Sequence, residues 1–200
     1  MHASADLAQR VIELLRAPGV RNIRLVGSRA EGRAITLSDW DFLVHADDFP
    51  AVARALPSRL APLQPLAQQW DRLSSTQCWM LMLAGPTKVD LIFPEVPHKP
   101  EPPWQPAPDN LDAIDAHFWD WMLWLAAKEA RGKLDVVGKE LDKAFTHLLA
   151  PLGARCAPSS ITAAVEEYRA GRERAEARFA VGVDRRLESA VAAALARMPP

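Results

Sequence analysis

Hydrophobic and polar positions alternate with two different periods along the first hundred residues. Between Ala5 and Ala17, Leu7, Val11, Ile12, Leu14 and Leu15 recur at helical spacing, and Pro18-Gly19 ends the run. Val20–Val26 reads as a strand closed by Gly27, and Ser28–Arg33 as a turn entering a short helix. Asp39–His45 reads as a second strand centred on Phe42, Leu43 and Val44. Asp47–Leu60 brings Phe49, Val52, Ala53 and Leu56 onto one helical face. Gln64–Trp70 is a weak strand signal. Gln77–Leu83 and Lys88–Phe93 read as a hairpin joined at Gly85-Pro86-Thr87.

The pattern then changes. Seven prolines fall between Pro94 and Pro108, and proline removes a backbone donor and fixes φ, so neither helix nor central strand is expected there. From Asp109 onward helical periodicity dominates, broken near Gly132, at Pro151-Leu152-Gly153 and at Pro158, with Ser159-Ser160 offering an N-cap for a helix from Ile161. Four or five helices are expected, and the Ala- and Arg-rich tail from Tyr168 to Met198 reads as helical. The chain thus divides into a mixed α/β unit over residues 1–96, a connector over 97–108 and a helical unit over 109–200.

Charge narrows the function classes. With 24 Lys plus Arg against 25 Asp plus Glu, the formal charge is −1, so there is no overall basic field to hold a long nucleic acid. Cys78 and Cys156 lack metal-ligand spacing and read as thiols of a reducing compartment. The first residues lack the basic-then-apolar order of a signal peptide, and the most apolar stretch, Trp121–Ala127, is too short to cross a bilayer. The expectation is a cytoplasmic protein without membrane partners.

The chemistry concentrates in Leu25-Val26-Gly27-Ser28-Arg29-Ala30-Glu31-Gly32 and Ser38-Asp39-Trp40-Asp41-Phe42-Leu43-Val44. Carboxylates at i and i+2 on a strand project to the same side, so Asp39 and Asp41 can grip one pair of hard cations. Mg²⁺ takes oxygen ligands and commonly joins protein carboxylates to substrate phosphates. The Gly27-Ser28 turn offers close backbone approach and a hydroxyl for phosphate, and Arg29 and Arg33 read either as surface charges or as a planar guanidinium matching phosphate oxygens. A third acid on a neighbouring strand would complete such a site. Asp90, flanked by Val89 and Leu91-Ile92-Phe93, is costly in that setting without a partner.

Gly27-Ser28, ten residues, Asp39-Trp40-Asp41 and the later Val89-Asp90-Leu91 resemble the nucleotidyltransferases of the DNA polymerase β superfamily. The fuller wording is most similar to its small bacterial members, the antibiotic (aminoglycoside and lincosamide) and minimal nucleotidyltransferases. That resemblance implies an α+β nucleotidyltransferase fold, a short mixed β-sheet with flanking helices followed by a helical bundle. It implies two Mg²⁺ ions, with Mn²⁺ as a substitute, on Asp39, Asp41 and Asp90. Gly27, Ser28 and Arg29 would meet the phosphates, and AMP from ATP would pass to a small acceptor of unidentified structure. More weakly, Phe118-Trp119-Asp120-Trp121 through Arg131-Gly132-Lys133-Leu134 resembles the first helices of the helical domain in these enzymes, which makes Lys128, with Lys133, a candidate for the triphosphate.

Several residues carry plainer readings. Trp119, Trp121 and Trp124 read as helix core, and Trp40 as packing on the strand face opposite the acids. Asp120 and Glu129 read as helix-surface charges, with a general base as the sharper alternative, and Arg169–Arg178 as a solvated helix of i,i+4 pairs. An acidic acceptor cleft would draw on Asp112, Asp115, Asp120 and Glu129. An antitoxin-type enzyme modifying a partner protein and a silent nucleotide-binding module stand as the alternatives. Base preference and oligomeric state are not legible.

Overall fold

The computed structural model describes residues 2–85 and 87–197. It divides into two compact units, Met1–Pro100 and Glu101–Pro200. Together they have the α+β architecture expected, a short mixed sheet with flanking helices and then a set of helices.

The first unit runs α1 (His2–Leu15), β1 (Val20–Val26), α2 (Gly27–Ala30), β2 (Trp40–Ala46), α3 (Phe49–Leu60), β3 (Ala67–Trp70), β4 (Thr76–Leu83) and β5 (Thr87–Pro97). Asp48 caps α3, its side chain accepting from the Ala51 N–H at 3.1 Å. The sheet order is β1-β2-β5-β4-β3, antiparallel except for the central β2–β5 pair, which is parallel. Strand alternation sorts the two faces. Phe42, Val44, Val89, Leu91 and Phe93 are buried in one core with Val11 and Leu15 of α1 and Val52, Leu56 and Leu60 of α3. Asp41 and Asp90 alternate with those residues and point to the face away from α1 and α3. The hairpin joining β4 to β5 forms as expected, with Gly85 at φ +79°; its Pro86 lies outside the described residues.

The proline stretch needs correction. β5 does not stop at Phe93 but extends through Pro94 to Pro97. The physical reason is visible in the register. Pairing with β2 ends at Ile92, and pairing with β4 is irregular between Phe93 and Pro97. The prolines therefore continue the strand only where the regular ladder has already ended, so their missing N–H groups break no regular ladder bond.

The second unit holds α4 (Leu111–Glu129), α5 (Leu134–Ala144) continued by a π-turn at Phe145–Leu149, α6 (Ile161–Phe179) and α7 (Arg186–Leu195). Ser160 caps α6 as expected, accepting from the Ala163 N–H at 3.1 Å. α4 is buried on nearly every side. Trp119 and Trp121 are core, as read from their spacing, and Tyr168 of α6 stacks on Phe118 with ring centroids 3.8 Å apart.

The tail is helical as read, in two helices, and two other sequence expectations fail here. α6 ends at Ala180, which takes φ +54°, and α7 begins only at Arg186. Met198 lies outside the described residues. Asp120 is no surface charge but a buried one. Nor is Arg169–Arg178 a solvated face. Arg172 is 4% exposed and reaches across helices rather than along its own: Nη1 donates to Asp115 at 2.9 Å, and Nη2 pairs with Glu188 at 2.6 Å. The same Asp115 oxygen accepts from Tyr168 Oη at 2.7 Å and Trp119 Nε1 at 3.1 Å. A charge run looks solvated in sequence because its partners, on α4 and α7, lie far away along the chain.

Candidate metal centre

The parallel register of the two central strands sets Asp41 directly opposite Asp90. Asp39 stands just before β2, two residues from Asp41, so the same alternation turns it to the same side. Each of Asp39, Asp41 and Asp90 presents a carboxylate oxygen, and the three oxygens lie within 4.8 Å of one another in partly buried surroundings. Three like charges so close repel one another, and a hard divalent cation is the partner that oxygen-only donors suit.

Gly27 shapes the floor of this cluster. It follows β1, whose last residue, Val26, pairs with Asp41. At φ +69° a side chain is disfavoured, and an ideal Cβ there would lie 2.6 Å from Asp41 Oδ2. Two independent constraints, backbone conformation and contact with a candidate ligand, thus favour glycine. We expect Gly27→Ala to lower stability by about 1–3 kcal/mol and to weaken Mn²⁺ binding by displacing the Asp41 carboxylate. Thermal unfolding and a Mn²⁺ titration would check both, and an unchanged Mn²⁺ affinity would contradict the cradle.

Ser28 follows in α2, which is a single turn of four residues. One turn carries only part of the macrodipole that a longer helix would bring to a phosphate, so recognition there rests on individual N–H and hydroxyl groups. Arg29 has a clear structural task. Its Nε donates to the carbonyls of Ser38 and Asp39 at 3.0 and 3.1 Å, its Nη2 donates to Ser38 O at 2.6 Å, and the guanidinium lies 4.1 Å above the Trp40 ring. It clamps the backbone that carries Asp39. Burial pulls its pKa below the ordinary value, while the charges of Asp39 and Asp41 act against that pull. Ser38 closes the same loop, its Oγ accepting from the Ile35 N–H at 2.8 Å. Arg33 pairs with Glu31 and is exposed.

Sequence reasoning missed Lys88. Its side chain is 7% exposed, and Nζ lies 2.7 Å from Asp90 Oδ1. The neighbours opposite on β4 are Met82 for Lys88 and Met80 for Asp90, both buried. The signal was present in Thr87-Lys88-Val89-Asp90, where period-2 alternation gives the lysine the face of Asp90.

Gly27, Ser28, Arg29, Asp39, Asp41 and Asp90 thus gather around one end of the central strands. Lys128 belongs to the second unit, on α4, with its ammonium 4.4 Å above the Trp124 ring. Neither cysteine is in a disulfide. Among the described residues no helix is long and apolar enough to cross a membrane.

No protein-family profile and no curated protein matches the chain. Among solved structures, it is similar to the crystal structure of an aminoglycoside 6-adenyltransferase from Bacillus subtilis. The alignment covers 98% of this chain and 92% of that one, at 12% identity and a TM-score of 0.32. At that TM-score the likeness carries no part of the assignment, which rests on the carboxylates and the glycine beneath them.

Proposed function

We propose that the protein is a metal-dependent nucleotidyltransferase that moves a nucleoside monophosphate, AMP from ATP, to a hydroxyl of a small acceptor in a cytoplasmic setting. The observation that carries this reading is the convergence of Asp39, Asp41 and Asp90 on one point, beside a glycine whose conformation and contact with Asp41 disfavour any side chain. These acids would hold two Mg²⁺ or Mn²⁺ ions, which when bound supply charge stabilisation to the attacking and leaving oxygens of an in-line displacement.

The chain's own residues divide the remaining work. Asp39 and Asp41 would anchor the ions on β2, and Asp90 would take up the acceptor's proton. The acceptor oxygen forms a bond to the α-phosphorus as the bond to the pyrophosphate oxygen breaks. Gly27 and Ser28 meet the β- and γ-phosphates through backbone N–H groups and the hydroxyl. Arg29 keeps Asp39 in place through the carbonyls it clamps, a positioning role that sequence alone read as phosphate contact.

Within the helical unit, the acids read as a cleft for a cationic acceptor are only partly exposed. Of the acids considered for a cationic acceptor, Asp115 is consumed by Arg172, Tyr168 and Trp119, and Asp120 is buried. Asp112 and Glu129 are the exposed ones. Fewer exposed acids thus stand on the helical unit than its sequence advertises. Incubation with labelled ATP, GTP, CTP and UTP, Mg²⁺ and a panel of aminoglycosides, lincosamides and candidate proteins tests the reading. Label from ATP on a small hydroxylated acceptor is the expected result. Label on a protein alone would move the assignment to a protein-modifying enzyme, and pyrophosphate release with no nucleotide would remove it.

A further inference from the structure

The ammonium of Lys88 already holds one oxygen of the third carboxylate. A lysine 7% exposed is rare in a protein interior and remains charged there only beside an opposite charge. Asp90 supplies that charge, and Lys88 in turn offsets part of the repulsion among three acids held within 4.8 Å of one another. A divalent cation drawn to the same three acids must therefore share Asp90 with a resident positive charge.

We propose that Lys88 is a built-in counter-ion that competes with the metal for Asp90, holding the cluster together without metal and lowering its affinity for free divalent cations. This rests on the reading of the three acids as a metal site. Three observations support it. The ion pair is short, at 2.7 Å. It lies beside buried Met80 and Met82, where charges are weakly screened and repulsion between like charges is strong. And the lysine is two residues from Asp90 on the same strand face, so alternation sets its stem beside that carboxylate. The consequence is a site that discriminates against capture by free cations and favours a metal arriving with the negative charge of a triphosphate.

The test uses the full chain and Mn²⁺ alone, read by electron paramagnetic resonance of the unbound ion and by the thermal midpoint in chelator and in saturating Mn²⁺. Lys88→Gln keeps a hydrogen-bond donor for Asp90 and removes the charge. It is expected to bind Mn²⁺ at least about tenfold tighter than the parent, with a lower midpoint in chelator and a larger rise on adding Mn²⁺. Lys88→Arg, which keeps the charge, is expected to stay within about threefold of the parent. Should Lys88→Gln not fold in chelator, Lys88→Met refolded in Mn²⁺ gives the same comparison. Equal or weaker Mn²⁺ binding by the neutral variants, with the parent still binding, would overturn the competition and leave the proposed function standing. Binding by neither parent nor variant would overturn both.

Discussion

Asp41→Asn is expected to slow metal-dependent pyrophosphate release by at least about a thousandfold. Metal coordination supplies several kcal/mol of charge stabilisation at a transferring phosphate, and each 1.4 kcal/mol is about tenfold in rate. Asp41 is the central member of the cluster, in register with Asp90, two residues from Asp39 and against Gly27. The amide of asparagine has the shape of the carboxylate, so the contact with Gly27 survives. Removing one of three crowded negative charges also relieves repulsion. The metal-free melting midpoint should therefore hold or rise while activity disappears. This pairing separates loss of function from loss of fold. A variant releasing pyrophosphate as fast as the parent would remove Asp41 from the mechanism.

Arg172→Met is expected to destabilise the second unit by about 3–5 kcal/mol, the cost of leaving a buried charge without its partner. The side chains of Arg172 and Asp115 are 5% and 4% exposed, and Glu188 is 14% exposed. Methionine fills the stem's volume but leaves buried Asp115 without its cation, while Glu188 keeps Arg169 at 2.7 Å. Urea unfolding followed by tryptophan fluorescence would read the shift, and a loss below about 1 kcal/mol would contradict the network's weight. Adding Asp115→Asn should recover part of the loss, because the stranded charge is gone.

The pH dependence of that gap has a definite sign. Burial alone would raise the Glu188 pKa, but the bonds and charges of Arg172, then Arg169, outweigh it and hold it below the ordinary value near 4.5. An acid held low stabilises the fold above its ordinary pKa, and that contribution is lost as pH falls through the folded value. Without Arg172, Glu188 keeps only Arg169 and Arg185 against burial, and Asp115, whose pKa burial already raises, loses its cation, so both shift toward the protonated form. The stability gap between parent and variant should therefore narrow as pH falls through the raised Asp115 pKa and on below about 4.5.

How much of this was legible in the chain follows from which interactions are local. β1, β2 and α3 could be read because each buries alternating or helically spaced residues against one core. Asp39, Asp41 and Asp90 could be read because strand alternation fixes the direction of each side chain. What alternation cannot give is register. That Asp41 faces Asp90, rather than Leu43 or Val44 doing so, is set by parallel pairing between strands that lie far apart in the chain. Lys88 was hidden for a different reason. A lysine beside an apolar strand reads as an edge charge until the strand proves central, and β5 lies between β2 and β4. Arg172 was misread because its partners are 57 residues before it, at Asp115, and on α7 after it. The prolines of β5 misled because the rule against them holds only where the ladder needs their N–H groups.

The central claim is that three carboxylates form one metal centre, and the most direct measurement is anomalous scattering from crystals soaked in Mn²⁺, with and without a non-hydrolysable ATP analogue. The expected result is a manganese peak coordinated by Asp39, Asp41 and Asp90, strengthened or joined by a second when the analogue is present. Manganese found elsewhere, with these three acids bare in crystals that hold the nucleotide, would contradict the account.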